Sequence, residues 1–368
     1  MNILVSALEA SSNIHLEALI NELEKINKFK NNLKINGIFD SKIKTSLGKP
    51  DYDITSMAIM GFVDAIKKLP FLLKLNKQMV ELSKNADIIL LMDASGFNLP
   101  LAKKIKAKYP NKHIIYYILP QAWAWKKKRI PKIEKYCDTL CSILPFESDF
   151  YTQKQKIHYV GHPLLDEIQN FKSDITNNGL IAFMPGSRSG EISKLLPIYK
   201  RIVNQIIGQT DKISIPMLII PKHFSDQKIE ELYGDISMFT ISKDTHKTLY
   251  EADFAFICSG TATLEASIIG TPFILNYIAK PFDYFIAKNL VKLKYIGLAN
   301  IFFEKMGEEP IHKEYIQDDV TLENLLDGYK NIDKTKFLEN SLYLRKYLQN
   351  GSSKTVANII ENYDKINN

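Results

Sequence analysis

Two places in the chain set small, hydroxyl-bearing residues between a buried strand and the start of a helix, where backbone N–H groups are left to meet an anion. In the first, the apolar run Phe254-Ala255-Phe256-Ile257-Cys258 leads into Ser259-Gly260-Thr261, with Glu265 about one turn further on and placed for ribose hydroxyls. In the second, Leu180-Ile181-Ala182-Phe183-Met184 leads into Pro185-Gly186-Ser187-Arg188-Ser189-Gly190-Glu191. Both apolar runs suit parallel strands covered on two faces. Ser and Thr are also ordinary helix caps, but the pair of turns favours more. Ligands of open α/β sheets sit beyond the carboxyl ends of strands, so the two turns are predicted to close on one diphosphate with Arg188 as countercharge. Neither turn is a Walker loop or a GxGxxG fingerprint.

The first half carries candidates for the other reactant. Asp93 follows Ile88-Ile89-Leu90-Leu91-Met92 where a strand leaves the sheet, and Asn98 with Pro100 reads as the start of the next helix, which frees Asp93 from capping it. A loop aspartate bonded to its own backbone is the plainer reading. Trp123 and Trp125 lie two residues apart after another strand, so in extended structure they share a face: either core or an apolar wall beside Lys126-Lys127-Lys128-Arg129. Glu9 ends the first strand, as a cap for Ser11-Ser12-Asn13 or as a sugar ligand. From Met57 to Leu75, apolar residues including Met60, Phe62, Phe71 and Leu72 alternate with lysines, as in a core-facing helix or an acyl-chain and membrane-facing segment. The seven histidines form no HExxH or similar cluster, and no metal is expected.

Strands predicted at 2–7, 34–39, 87–92, 113–118 and 139–143, and again at 180–184, 216–220, 238–241, 253–258 and 272–276, alternate with helical patterns. This is the rhythm of two doubly wound sheets. The expected organisation is an N-terminal domain over 1–168, a C-terminal domain over 169–345 with a polar linker near the boundary, and a helix over 346–368 returning to the first domain. A chain of 368 residues with 45% hydrophobic content is long enough for two cores. Its net charge of +7 suits an anionic partner, although no nucleic-acid motif accompanies it. Three cysteines without CxxC spacing indicate neither a disulfide framework nor a zinc site. No signal peptide or membrane span is read, so a cytoplasmic protein with at most peripheral membrane contact is expected.

Several of these stretches, in order, resemble the lipid-A-disaccharide synthase family of GT-B glycosyltransferases. They are Met60-Gly61-Phe62, Met92-Asp93-Ala94 with Phe97-Asn98, Pro120 to Trp125, Leu144-Pro145-Phe146-Glu147, Val160-Gly161-His162-Pro163, Pro185 to Arg188, Ser259 to Glu265 and Gly297-Leu298-Ala299-Asn300. The resemblance implies two Rossmann-like domains facing across a cleft, the first for the acceptor and acyl chains, the second for the UDP-sugar. It implies transfer of 2,3-diacylglucosamine from UDP-2,3-diacylglucosamine to 2,3-diacylglucosamine 1-phosphate (lipid X), giving a β-1,6 disaccharide and UDP, at the inner-membrane surface and without a cofactor. Asp93, Arg188 and Asn300 fall on positions essential in the family, with Asp93 as base. Glu9, Met60, Phe62, Phe71, Leu72, Trp123 and Trp125 fall to the acceptor or acyl-chain region. The family's Gly-Glu-x-Ser-Gly-Asp reads Leu8-Glu9-Ala10-Ser11-Ser12-Asn13 here, a second acid after Asp93 is Gly96, and Leu-Pro-Asn is Leu298-Ala299-Asn300. Another GT-B enzyme of UDP-sugars, such as a UDP-N-acetylglucosamine 2-epimerase, is the alternative.

Overall fold

The computed structural model describes residues 1–30, 32–54, 69–209, 214–279 and 293–367. The chain divides into two compact units, Met1–Glu167 with Leu348–Asn368, and Ile168–Tyr347.

In the first unit, strands β1 (Asn2–Ala7), β2 (Lys34–Phe39), β3 (Tyr52–Asp53), β4 (Ile88–Met92), β5 (His113–Tyr117), β6 (Thr139–Ser142) and β7 (Ile157–Tyr159) form one sheet in the order β3-β2-β1-β4-β5-β6-β7. All its pairings are parallel. Alternation along the strands divides their side chains between two buried layers. Leu4, Ile89, Leu91, Ile114 and Tyr116 enter one, while Ile3, Val5, Ile88, Leu90, Ile115 and Tyr117 enter the other. Burial on both faces is why these strands read as unbroken apolar runs.

The last helix, Ser352–Asn367, adds Val356, Ala357 and Ile360 to the second layer, beside Leu16, Leu19 and Leu23 of the helix Ala10–Lys25. Its start is fixed by Asp166, whose carboxylate accepts from the N–H groups of Gly351 (2.6 Å) and Ser353 (3.2 Å). Gly161, at φ +88, lies against this return: a Cβ there would stand 3.0 and 3.1 Å from the carbonyl oxygens of Gln349 and Asn350. The next amide, His162 N–H, donates to the carbonyls of Leu348 and Gln349.

The second unit repeats the plan. Strands β8 (Leu180–Met184), β9 (Ile215–Ile219), β10 (Thr240–Ser242), β11 (Phe254–Cys258), β12 (Phe273–Tyr277) and β13 (Lys313–Ile316) lie in the order β10-β9-β8-β11-β12-β13, again parallel. Phe183 stacks on Phe256 (5.2 Å between centroids, 15°), with Tyr199 and Phe239 closing the same core. Counted from its own first strand, the first sheet reads 3-2-1-4-5-6-7 and the second 3-2-1-4-5-6, the doubly wound order whose direction reverses between the first and fourth strands.

All ten strands expected from the sequence are present to within two residues at their ends. The three not foreseen, β3, β7 and β13, are edge strands. An edge is covered on fewer sides, so it carries no continuous apolar signal. One helix differs: it begins at Ser95 rather than near Asn98, and Pro100 lies inside it.

Candidate functional site

Each sheet has a switch point where two adjacent strands send their helices to opposite faces. In the second unit it lies between β8 and β11, followed by Pro185–Arg188 and Ser259–Thr261. Six of the expected nucleotide residues, Gly186, Ser187, Arg188, Ser259, Gly260 and Thr261, line one pocket there of about 370 Å³. The helix Thr261–Ile269 starts without a side-chain capping bond from Gly260. Its first N–H groups and positive dipole end are therefore suited to an anion. Across the pocket, the Arg188 side chain is 79% exposed and its guanidinium is bonded to Glu191 Oε1 at 2.7 Å. That carboxylate raises the pKa of Arg188 further.

The other two residues expected here are not among those lining the pocket. Glu265 sits half-buried on the same helix, 3.8 Å from His246 Nε2. Asn300 is fully buried. Its Nδ2 donates to His312 O (2.9 Å) and Glu314 Oε1 (2.8 Å), and its Oδ1 accepts from His312 N–H (3.2 Å). These bonds join the helix Leu298–Met306 to the edge strand β13.

In the first unit the switch point lies between β1 and β4, and it brings Glu9 and Asp93 together. Asp93 (φ 45) and Ala94 (φ 37) are consecutive left-handed residues, a conformation that costs a non-glycine residue about 1–2 kcal/mol. Three side chains hold it. Tyr116 Oη donates to Asp93 O at 2.6 Å, Asn98 Nδ2 donates to Asp93 O and Met92 O at 3.0 and 2.9 Å, and Ser6 Oγ donates to Asn98 Oδ1 at 2.7 Å. Asn98 is thus a clamp between β1 and β4 rather than a helix start, while Asp93 remains outside the capping position, which is Ala94.

Burial raises the Asp93 pKa, opposed by the Ala94 N–H and by His15. Burial and the charge of Asp93 together raise that of Glu9. Glu9 is the N-cap of the helix Ala10–Lys25 and exchanges capping-box bonds with Ser12. Ser12 and Asn13 are buried, and Asn13 bonds the carbonyls of Ala7 and Glu9. Below them, His15 Nδ1 is in short contact with Glu167 Oε1. His162 is held neutral, its pKa pushed down to about 3 by burial and by His15.

The aromatic wall expected after β5 is not formed as read. Ala122–Trp125 is a helical turn, so residues two apart do not share a face. Trp123 is 3% exposed and packs edge-on against Phe146 (4.8 Å, 89°), which makes it a core residue. The Trp125 side chain, like Met60 and Phe62, lies outside the described residues. In the basic run, Arg129 turns to Ser95 Oγ (2.6 Å) and Lys127 lies over the Phe150 ring (5.5 Å). On the helix Leu69–Leu82, Phe71 is exposed and Leu72 half-buried, while Leu75 and Met79 enter the core. Among the described residues, no group of three or more His, Cys, Asp or Glu is arranged to hold a metal ion.

Sequence reading did not single out Tyr116, Arg129, Glu167 or Glu191 as site residues. For Glu191 a signal existed: an acid three residues after the residue preceding a helix is the capping-box spacing. Tyr116, Arg129 and Glu167 reach the site only through the fold, and nothing local marks them.

Two parallel-sheet α/β units of doubly wound order are the architecture of the GT-B class. The same fold is found in Staphylococcus aureus MnaA with UDP (TM-score 0.62, 14% identity, 99% of this chain and 96% of that one) and in Acinetobacter baumannii MurG (TM-score 0.55, 14% identity, 98% and 99%). At those identities the likeness is one of fold alone. The family is given by sequence: residues 3–362 match the model described as lipid-A-disaccharide synthetase, and the chain belongs to that family. It is 50% identical over 364 residues to the lipid-A-disaccharide synthase of Helicobacter pylori (strain Shi470), covering 97% of each chain. The enzyme of that name from Campylobacter jejuni (strain RM1221) is 44% identical over 375 residues, covering 97% of this chain and 98% of its own.

Proposed function

We propose that the protein condenses UDP-2,3-diacylglucosamine with 2,3-diacylglucosamine 1-phosphate, forming the β-1,6-linked lipid A disaccharide 1-phosphate and UDP. The observation that carries this reading is the family match along residues 3–362. In the proposed step, Asp93 accepts the proton of the acceptor's 6-hydroxyl as that oxygen attacks the anomeric carbon of the donor. The bond to the diphosphate breaks, its electron pair leaves with UDP, and the anomeric centre inverts. A base of this kind contributes about 10² to 10⁴ in rate, and burial raises the Asp93 pKa. Arg188 and the start of the helix Thr261–Ile269 stabilise the charge growing on the diphosphate.

The acceptor's 1-phosphate is assigned to Arg129, whose bond to Ser95, two residues from Asp93, supports the reading. No helix among the described residues is long and apolar enough to cross a membrane. Contact with an anionic inner-membrane surface is assigned instead to the start of the helix Leu69–Leu82. Phe71 and Leu73 are 42% and 54% exposed there, beside Lys74 and Lys77. Each acyl methylene buried contributes about 0.8 kcal/mol and a single acyl chain binds only marginally, so Phe71 and Leu73 act together with the neighbouring lysines in reversible binding. Mass spectrometry of the product formed from the two diacylated substrates tests the assignment. A disaccharide 1-phosphate carrying four acyl chains is expected, and its absence from active, folded protein would reject the reading.

A further inference from the structure

Glu191 is the third residue of the helix Ser189–Gln209, and its carboxylate fills the hollow of the Pro185–Arg188 turn. Oε2 accepts from the backbone N–H groups of Ser187 and Arg188, each at 3.3 Å, and Oε1 accepts from Arg188 Nη1 at 2.7 Å. A Cβ on Gly186 would stand 2.4 Å from Oε2, so glycine at that position is what admits the carboxylate. Capping accounts for the bond to the Arg188 amide. It does not account for the second amide, that of Ser187, or for the guanidinium closing on the other oxygen. Two consecutive backbone donors and an arginine are the set that a phosphate would use at this turn. The side chain of Glu191 is only 11% exposed, although it borders the pocket.

We propose that Glu191 is an internal anion that competes with the diphosphate for the Ser187–Arg188 turn and so sets the preference of the site for donor over product. The inference rests on the nucleotide reading given above. The diphosphate of a UDP-sugar is a diester with two negative charges, whereas UDP, with a free terminal phosphate, carries about three near neutral pH. A carboxylate returning to the turn therefore opposes UDP more strongly than it opposes the donor. Once the anomeric bond breaks and the terminal phosphate gains its charge, Glu191 reclaims the two amides and Arg188, and UDP departs. With no nucleotide bound, the same carboxylate keeps the turn formed.

The test is calorimetric titration of wild type, Glu191→Gln and Glu191→Ala with UDP, UDP-N-acetylglucosamine as a diester probe, and uridine. Gln keeps an acceptor for the cap and removes the charge. The Kd for UDP is expected to fall about tenfold in Glu191→Gln, that for the diester by a smaller factor, and that for uridine not at all. The inhibition constant of UDP should fall in step. Unchanged uridine binding reports that the variants are folded. UDP bound by wild type but no more tightly by either variant overturns the role of Glu191 alone. An equal gain for UDP and the diester overturns the claim of preference. Failure of all three proteins to bind UDP overturns the nucleotide reading and this inference with it.

Discussion

Replacing Asn98 by alanine separates the holding of Asp93 from ordinary stability. The Asn98 side chain is buried and makes three bonds, two from Nδ2 to the carbonyls of Met92 and Asp93 and one from Ser6 Oγ to Oδ1. Alanine removes all three and leaves a buried Ser6 hydroxyl without that acceptor. At about 1 kcal/mol for each bond, and 1–3 kcal/mol for a stranded buried group, the expected loss of stability is about 4–6 kcal/mol. The variant also leaves Tyr116 as the remaining hydrogen bond to the Asp93 carbonyl. Asp93 and Ala94, at φ 45 and 37, can then relax toward right-handed or extended backbone, which turns the carboxyl away. Ser6→Ala removes one bond and leaves both donors on Asp93 in place. Steady-state turnover, measured well below the melting temperature of each protein, should fall about 100-fold or more in Asn98→Ala, the lower range of a general base. The KM for both substrates should change little, and Ser6→Ala should keep kcat within about threefold. Full kcat in folded Asn98→Ala would refute the argument that these bonds aim Asp93.

Two further outcomes follow from burial and exposure. Glu147 is fully buried and its carboxyl is pushed up from 4.5 to about 8, mainly by burial and against a 2.6 Å bond from Ser142 Oγ. The unfolded chain ionises this group near 4.5 while the folded chain holds its proton to about 8, so stability present below 4.5 is lost as pH rises through that interval. Glu147→Gln removes the titration, and in urea unfolding the variant should gain about 2–4 kcal/mol on wild type between pH 5 and pH 8; a gap constant with pH would contradict this. Phe71→Ser with Leu73→Ser, both at exposed positions, should leave the melting temperature unchanged and weaken binding to anionic vesicles about tenfold. Equal binding by wild type and the double variant would remove this surface from the membrane contact.

What was legible in the sequence was local. Runs such as Ile88–Met92 and Phe254–Cys258 declared themselves because both faces of a parallel strand are buried. The edge strands Tyr52–Asp53 and Lys313–Ile316 carry no such run. The turns at Gly186–Arg188 and Ser259–Thr261 could be read because strand, turn and helix start are contiguous. Asn300 was legible only through the family resemblance, since its bonds run to His312, just before an edge strand that carries no apolar run, and to Glu314 on that strand. Pro100 pointed to a helix start three residues too late, because a left-handed Ala94 at the cap leaves no glycine to mark it. Trp123 was misplaced by assuming extended backbone where the chain makes a helical turn. The bonds from Tyr116 and Ser6 around Asp93 are products of strand order, which joins residues up to 92 positions apart.

In the proposed reaction Asp93 takes the proton of the attacking hydroxyl while a separate pocket in the second unit holds the nucleotide. Purified Asp93→Asn protein, supplied with both diacylated substrates and followed by mass spectrometry, tests it most directly. Disaccharide formation should fall at least about 100-fold, with UDP still bound at the wild-type Kd. Turnover at the wild-type rate in that variant would contradict the account.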